Sequence, residues 1–226
     1  MGLFDKVKNQ AVGAINSATR STVNQATRSA THAATQAATQ AVNSGMKGLQ
    51  NKRETFTFKA LPQNVQQLQA LPEANLASPY ATAALTVAAM CAYGNDPQAV
   101  IDMLNFLRGP SPMTGHDVQF LRDRFSGKVY KPFSYFEGAT PQNNYTPTQP
   151  YRITVFDNPY SWINEDTSRS STGPVQYARL LLQSSGADSP RFVMMRLKPS
   201  TNQWFLIDYQ ALCPDVRTPI MNDAWA

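Results

Sequence analysis

Side chains able to carry nucleophilic or acid–base chemistry are few in this 226-residue chain, and they do not fall into a recognisable arrangement. There are two histidines, His32 and His116, and two cysteines, Cys91 and Cys213. A thiol nucleophile needs a base within hydrogen-bond reach to activate it. Cys91 and His116 have the right types, but Cys91 falls in the apolar run "ATAALTVAAMCAY" (81–93), where a buried, inert thiol is expected. His32 stands in a low-complexity stretch with no acidic neighbour, and His116 stands at a predicted helix start, where capping or surface exposure is the ordinary role. The carboxylates Asp102, Asp117, Asp123, Asp157, Glu165, Asp166 and Asp208 are scattered, so an acid–base pair would need a geometry that spacing does not specify. HExxH, paired CxxC, the EF-hand loop, GxxxxGK[ST] and GxSxG are all absent. In "GPSPMTG" (109–115) prolines remove backbone donors that a phosphate cradle needs. No catalytic residue, metal ligand or cofactor is therefore expected.

Binding chemistry is better represented. The stretch "YKPFSYFEGATPQNNYTPTQPY" (130–151) sets Tyr130, Phe133, Tyr135, Phe136, Tyr145 and Tyr151 among Asn, Gln, Thr and Pro. That mixture suits a partner-binding surface. The other reading is that the same rings merely close the bottom of the core beneath a long loop. Nucleic acid is not expected as a partner. "FLRDRF" (120–125) sets its arginines beside an aspartate, which reads as a solvated, paired face, and the basic residues of the N-terminal arm are spread thinly with Phe4 as their sole aromatic.

The elements that would position these residues divide at about residue 53. Residues 1–53 carry Lys6, Lys8, Arg20, Arg28, Lys47, Lys52 and Arg53 against Asp5 alone, a net +6. The remaining chain carries 13 Lys/Arg against 14 Asp/Glu, so the basic character belongs to the arm. Two readings stand: a tail that meets an anionic surface, or charge that keeps a sparse tail soluble. Within the arm, small apolar residues at 11, 15, 18, 26, 30, 33, 37 and 41, with Thr22 filling the gap, recur at a mean step of about 3.75, near helical spacing. "ATRS" and "AATQ" each occur twice, and Gly45 and Gly48 supply a stop. One long helix over about 3–44 is predicted. A methyl stripe favours close helix–helix packing over insertion into lipid. At the tip, Leu3, Phe4 and Val7 with Lys6 and Lys8 could form a small interfacial anchor. A loosely helical tether is the alternative. No secretory signal is visible, and Lys6 occupies the Ser/Thr position of a myristoylation signal, so lipidation is not expected. Two cysteines are too few for a disulfide framework, which suggests a reducing interior.

Residues 54–226 read as a globular α+β domain. "ETFTFKA" (54–60) alternates as a strand, and a loop with a short helix follows. Ser78-Pro79 opens a helix that Gly94 ends, and Asp96-Pro97 opens another that stops at Gly109. A third helix spans 114–125, with Val118, Leu121 and Phe125 inward. Strands follow at 151–156, 175–184, 191–198 and 203–209, with "PSTN" as a hairpin connection. The expectation is a three-helix segment packed on an antiparallel sheet, preceded by the long Ala/Thr/Ser-rich helix.

Several motifs in one order carry a further observation: "ALPEANLASPYATAALTVAAMCAYGNDPQAVIDMLNFLRGP", "SYFEGATPQNNYTPTQPY", "DNPYS", "GADSPR", "QWFLIDYQALCPDVRTP" and "DAWA". Over about residues 60–226 the chain resembles an uncharacterised bacterial domain family, a domain of unknown function found mostly in anaerobic Gram-positive bacteria. The resemblance implies a bacterial cytosolic protein and brings no catalytic residues with it. The arm lies outside it; "MGLFDKVKNQA" is similar to the starts of peripheral membrane-stress and scaffold proteins.

The sequence thus predicts a non-enzymatic binding or scaffold protein that is cytoplasmic or membrane-associated. The arm would serve a protein partner or self-association, with an anionic membrane surface as a further partner. The alternative is a small-molecule-binding or hydrolase-like enzyme of the cone-shaped α+β type, with a pocket between helices and sheet that holds Asp102, Tyr177 or Asp208.

Overall fold

A computed structural model describes residues 52–165 and 175–223. The expected arm helix, its anchor residues Leu3, Phe4, Lys6, Val7 and Lys8, and Asp166 lie outside the described residues.

Four helices precede most of the sheet. They are α1 (Val65–Gln69), α2 (Pro79–Met90), α3 (Pro97–Arg108) and α4 (Gly115–Phe125). Each of the longer three starts where its cap dictates. The Ser78 side chain accepts the Ala81 N–H, Asp96 accepts the N–H groups of Gln98 and Ala99, and Thr114 and Asp117 form a reciprocal capping box. Gly109, at φ +52°, closes α3 in a conformation that a side chain disfavours. All twelve residues of α2 are buried, as a helix apolar on every side must be. Its alanines allow close approach, and its two threonine hydroxyls are satisfied by carbonyls: Thr86 donates to the Thr82 carbonyl, and Thr82 to the carbonyls of Ser78 and Trp204.

The strands are β1 (Arg53–Phe58), β2 (Tyr151–Phe156), β3 (Trp162–Glu165), β4 (Val175–Leu182), β5 (Arg191–Lys198) and β6 (Gln203–Asp208). The order is β1-β2-β4-β5-β6, antiparallel throughout, with β3 beside β4. Strands β2 and β3 share one edge of β4. Val155 and Phe156 face Leu182 and Leu181, and after Asp157–Ser161 loop out, Trp162 resumes opposite Ala178. They are one interrupted strand. The described body is α+β, as the sequence predicts; β3 was not anticipated, because "WINE" lacks alternation and follows a turn-rich stretch.

Alternation then assigns the two faces of the sheet. Ile153, Val155, Ala178, Leu180, Leu182, Val193, Met195, Trp204 and Leu206 are buried against the helices. The edge at β6 is closed: the Trp204 N–H donates to the Leu76 carbonyl, and Arg108 donates to the Ile207 carbonyl. No helix among the described residues is long and apolar enough to cross a membrane.

Candidate functional site

The six aromatic residues singled out in the sequence separate into two groups. Tyr135, Phe136 and Tyr145 are buried, while Tyr130, Phe133 and Tyr151 are half-buried. Two of the buried rings fasten the segment after β6. The Tyr135 hydroxyl donates to the Leu212 carbonyl at 2.7 Å and the Tyr145 hydroxyl to the Arg217 carbonyl at 2.7 Å. Lys131, itself buried, donates to the Cys213 carbonyl at 2.8 Å. Tyr130 stacks on Tyr145, with centroids 5.3 Å apart. Burial pushes the Tyr135 phenol well above its ordinary range and that of Tyr145 up to about 12, so both stay protonated donors. Phe133 and Tyr151 line a shallow cleft of about 350 Å³ together with Gln63, Cys91 and Asn95.

The carboxylates and thiols fall into structural roles. Asp157, in the loop between β2 and β3, is buried and accepts three donors: the Lys52 N–H at 2.6 Å, the Tyr80 hydroxyl at 2.9 Å and the Trp162 indole N–H at 2.9 Å. Burial first, and then the Asp157 carboxylate, push the Tyr80 phenol far above its usual range. Asp117 receives the N–H and hydroxyl of Thr114, each at 2.8 Å, and lies 3.7 Å from the Arg108 guanidinium. Burial opposes its ionisation, but Thr114 and Arg108 outweigh burial and hold the carboxyl below the usual range. No hydrogen bond joins Cys91 to His116; His116 is exposed on α4, and burial pushes the Cys91 thiol well up. Burial likewise pushes Cys213 up to about 12. Among the described residues no three His, Cys, Asp or Glu side chains gather as metal ligands.

The second face of the sheet is a surface of a different kind. Among the described residues it carries no helix. Register places Arg53, Phe156, Leu181 and Phe192 in one row, Arg179, Met194 and Asp208 in the next, and Ile163, Tyr177, Arg196 and Phe205 in a third. Three exposed arginines lie over rings within this array. Arg179 is 4.1 Å from the Phe192 centroid, Arg53 is 4.3 Å from Phe156, and Arg196 is 5.9 Å from Tyr177. Among the described residues none of Arg53, Arg179, Arg196 and Lys198 pairs with a carboxylate. This face was missed at the sequence level, although the alternation of "RFVMMRLK" and "VQYARLLL" carried it: reading both sides of each strand would have grouped these residues. At its β6 end the face deepens into a cleft of about 560 Å³.

The space between helices and sheet, by contrast, is filled by core side chains. Asp102 is exposed on α3, where its carboxylate accepts the Gln98 side-chain amide; Tyr177 lies in the arginine-bearing face; and the Asp208 carboxylate accepts the Gln210 N–H. The three do not meet in one pocket.

Residues 60–220 match a protein family described as "Domain of unknown function (DUF6935)". No curated protein and no solved structure matches the chain.

Proposed function

The chain belongs to the DUF6935 family of domains of unknown function, and for this member we propose a non-enzymatic binding module that takes an anionic protein partner on the sheet face that no described helix covers. The observation that carries this reading is the array of Arg53, Arg179 and Arg196, each lying over a ring and none neutralised by a carboxylate among the described residues. A guanidinium lying over a ring keeps its N–H edge available, is weakly hydrated and forms bidentate bonds to carboxylates. The exposed position favours rapid, salt-sensitive association.

In this reading the basic residues that precede β1 serve attachment, through self-association or at an anionic membrane surface, and the protein is cytoplasmic. Its assignment to anaerobic Gram-positive bacteria rests on motif resemblance alone. Supporting a binding role over a hydrolase-like one are the structural contacts of Asp157, whose two oxygens accept three donors, and of Asp117, whose Oδ2 accepts the N–H and hydroxyl of Thr114.

The test is fluorescence anisotropy of a labelled ten-residue Asp/Glu-rich peptide against the full chain and its Arg53→Gln/Arg179→Gln variant. The reading predicts at least a tenfold loss of affinity in the variant, with circular dichroism unchanged. Equal affinity for both proteins would contradict it.

A further inference from the structure

The cleft at the β6 end of this face is built differently from the rest of it. Its lining includes the buried or half-buried Val175, Phe205 and Ile207 and the exposed Pro110 and Pro199. Val175 points outward by register, yet it is only 8% exposed. The walls are rigid. Prolines restrict the backbone on both sides, and a Cβ on Gly109 would collide with the Phe205 ring, so only glycine lets the α3–α4 connection pass this close. Arg108 is 9% exposed and locked: its Nε donates to the Ser111 carbonyl at 2.8 Å and its Nη1 to the Ile207 carbonyl at 3.3 Å. Arg196 and Lys198 stand two residues apart on β5 and are exposed at the mouth. No carboxylate lines the cleft among the described residues.

An apolar trough of this size with convergent cations fits the general form of a small-ligand site. We infer that the cleft binds a small amphipathic anion, an apolar body carrying a single carboxylate or phosphate head. The body lies on Val175, Phe205 and Ile207, where each buried methylene contributes about 0.8 kcal/mol. The head meets Arg196 and Lys198, which are exposed and keep part of their hydration when paired. A neutral body of the same length leaves both cations unpaired and gains only the apolar part. The same chemistry occurs in a free amphiphile and in a lipid head with its proximal chain. This inference rests on the arginine-bearing sheet face being a binding surface, but it uses residues other than Arg53 and Arg179.

Isothermal titration of the full chain with decanoate, decyl phosphate, decanol and inorganic phosphate tests it. Decanoate and decyl phosphate should bind at least tenfold more tightly than decanol, and inorganic phosphate alone should bind more weakly than either. Arg196→Gln/Lys198→Gln should remove at least tenfold of the decanoate affinity and leave decanol unchanged. Ser200→Trp, at an exposed lip position, should block both ligands without unfolding the chain. Failure of the two anions to bind, equal binding of decanoate and decanol, or indifference to the double substitution would overturn the inference. Sedimentation with phosphatidylglycerol vesicles separates the two sources: loss in the double variant assigns the site to a lipid head, and unchanged sedimentation with lost decanoate binding assigns it to a free amphiphile. Arg53→Gln/Arg179→Gln should leave decanoate binding intact, so the acidic-peptide reading and this one can fail separately.

Discussion

The Arg179 guanidinium lies 4.1 Å from the centroid of the Phe192 ring, across the β4–β5 pair and on the face that no described helix covers. At an exposed site such a contact contributes about 0.5–1 kcal/mol, so its main effect is orientation: the stem shields the ring and the N–H edge faces solvent. Arg179→Ala should therefore lower stability by less than about 1 kcal/mol in urea denaturation. Arg179→Lys keeps the charge but loses the planar stack, and should bind the acidic peptide more weakly than the parent and more tightly than Arg179→Gln.

Asp157 joins the start of β1, the start of α2 and the head of β3 through three donors. Removing a buried acceptor leaves its donors unsatisfied, at about 1–3 kcal/mol for each buried group. Asp157→Ala should cost about 3 kcal/mol in urea denaturation. Tyr80→Phe should cost much less in that background than in the parent, because the partner of its hydroxyl is already gone. Additive losses would show that the two groups act independently.

Gly186 is buried, and a Cβ there would collide with the Tyr145 hydroxyl and come within 2.8 Å of Val216. The hydroxyl cannot swing aside without losing its bond to the Arg217 carbonyl. Gly186→Ala should cost about 1–3 kcal/mol, as overpacked sites do. Tyr145→Phe should recover part of that loss, and the interaction in the double-mutant cycle should be stabilising. A cycle without interaction would place the strain elsewhere.

Asp117 supplies an acid-dependent part of stability. Its folded pKa is depressed below its unfolded value of about 3.9, so its contribution is fully present above that value and disappears as pH falls through the folded one. Asp117→Asn should accordingly be less stable than the parent at pH 7. The gap in thermal midpoint should narrow as pH falls below about 4. A gap constant from pH 7 to pH 2.5 would mean that the carboxylate charge contributes nothing.

Both thiols should be inert in the folded protein. Burial raises Cys91 well above a free thiol and Cys213 up to about 12, which removes thiolate at pH 8. Ellman's reagent should label neither within minutes in buffer and both in urea. Rapid labelling of one thiol without denaturant would indicate a local opening.

Much of the architecture was legible because its signals are local. Ser78-Pro79, Asp96-Pro97 and Thr114–Asp117 are caps whose chemistry needs no distant partner, and the helices begin there. The β-rich composition of "YRITVF" and "RFVMMRLK" likewise marked β2 and β5 within their own segments. The site was less legible because it depends on register. Arg53 and Phe156 are 103 positions apart in the chain and become neighbours only through the β1–β2 pairing. The aromatic loop shows the opposite difficulty. Its composition matches that of a recognition surface, but the hydroxyls of Tyr135 and Tyr145 are spent on carbonyls of the segment after β6, 77 and 72 residues away. Composition cannot distinguish a ring facing a partner from one facing its own chain.

Arginine-selective labelling with phenylglyoxal, read by mass spectrometry with and without the acidic peptide, tests the location of binding most directly. The account predicts protection of Arg53, Arg179 and Arg196 on addition of peptide, with Arg20 and Arg28 as reactive as before. Protection confined to Arg20 and Arg28 would place the partner on the arm and contradict the assignment to the sheet face.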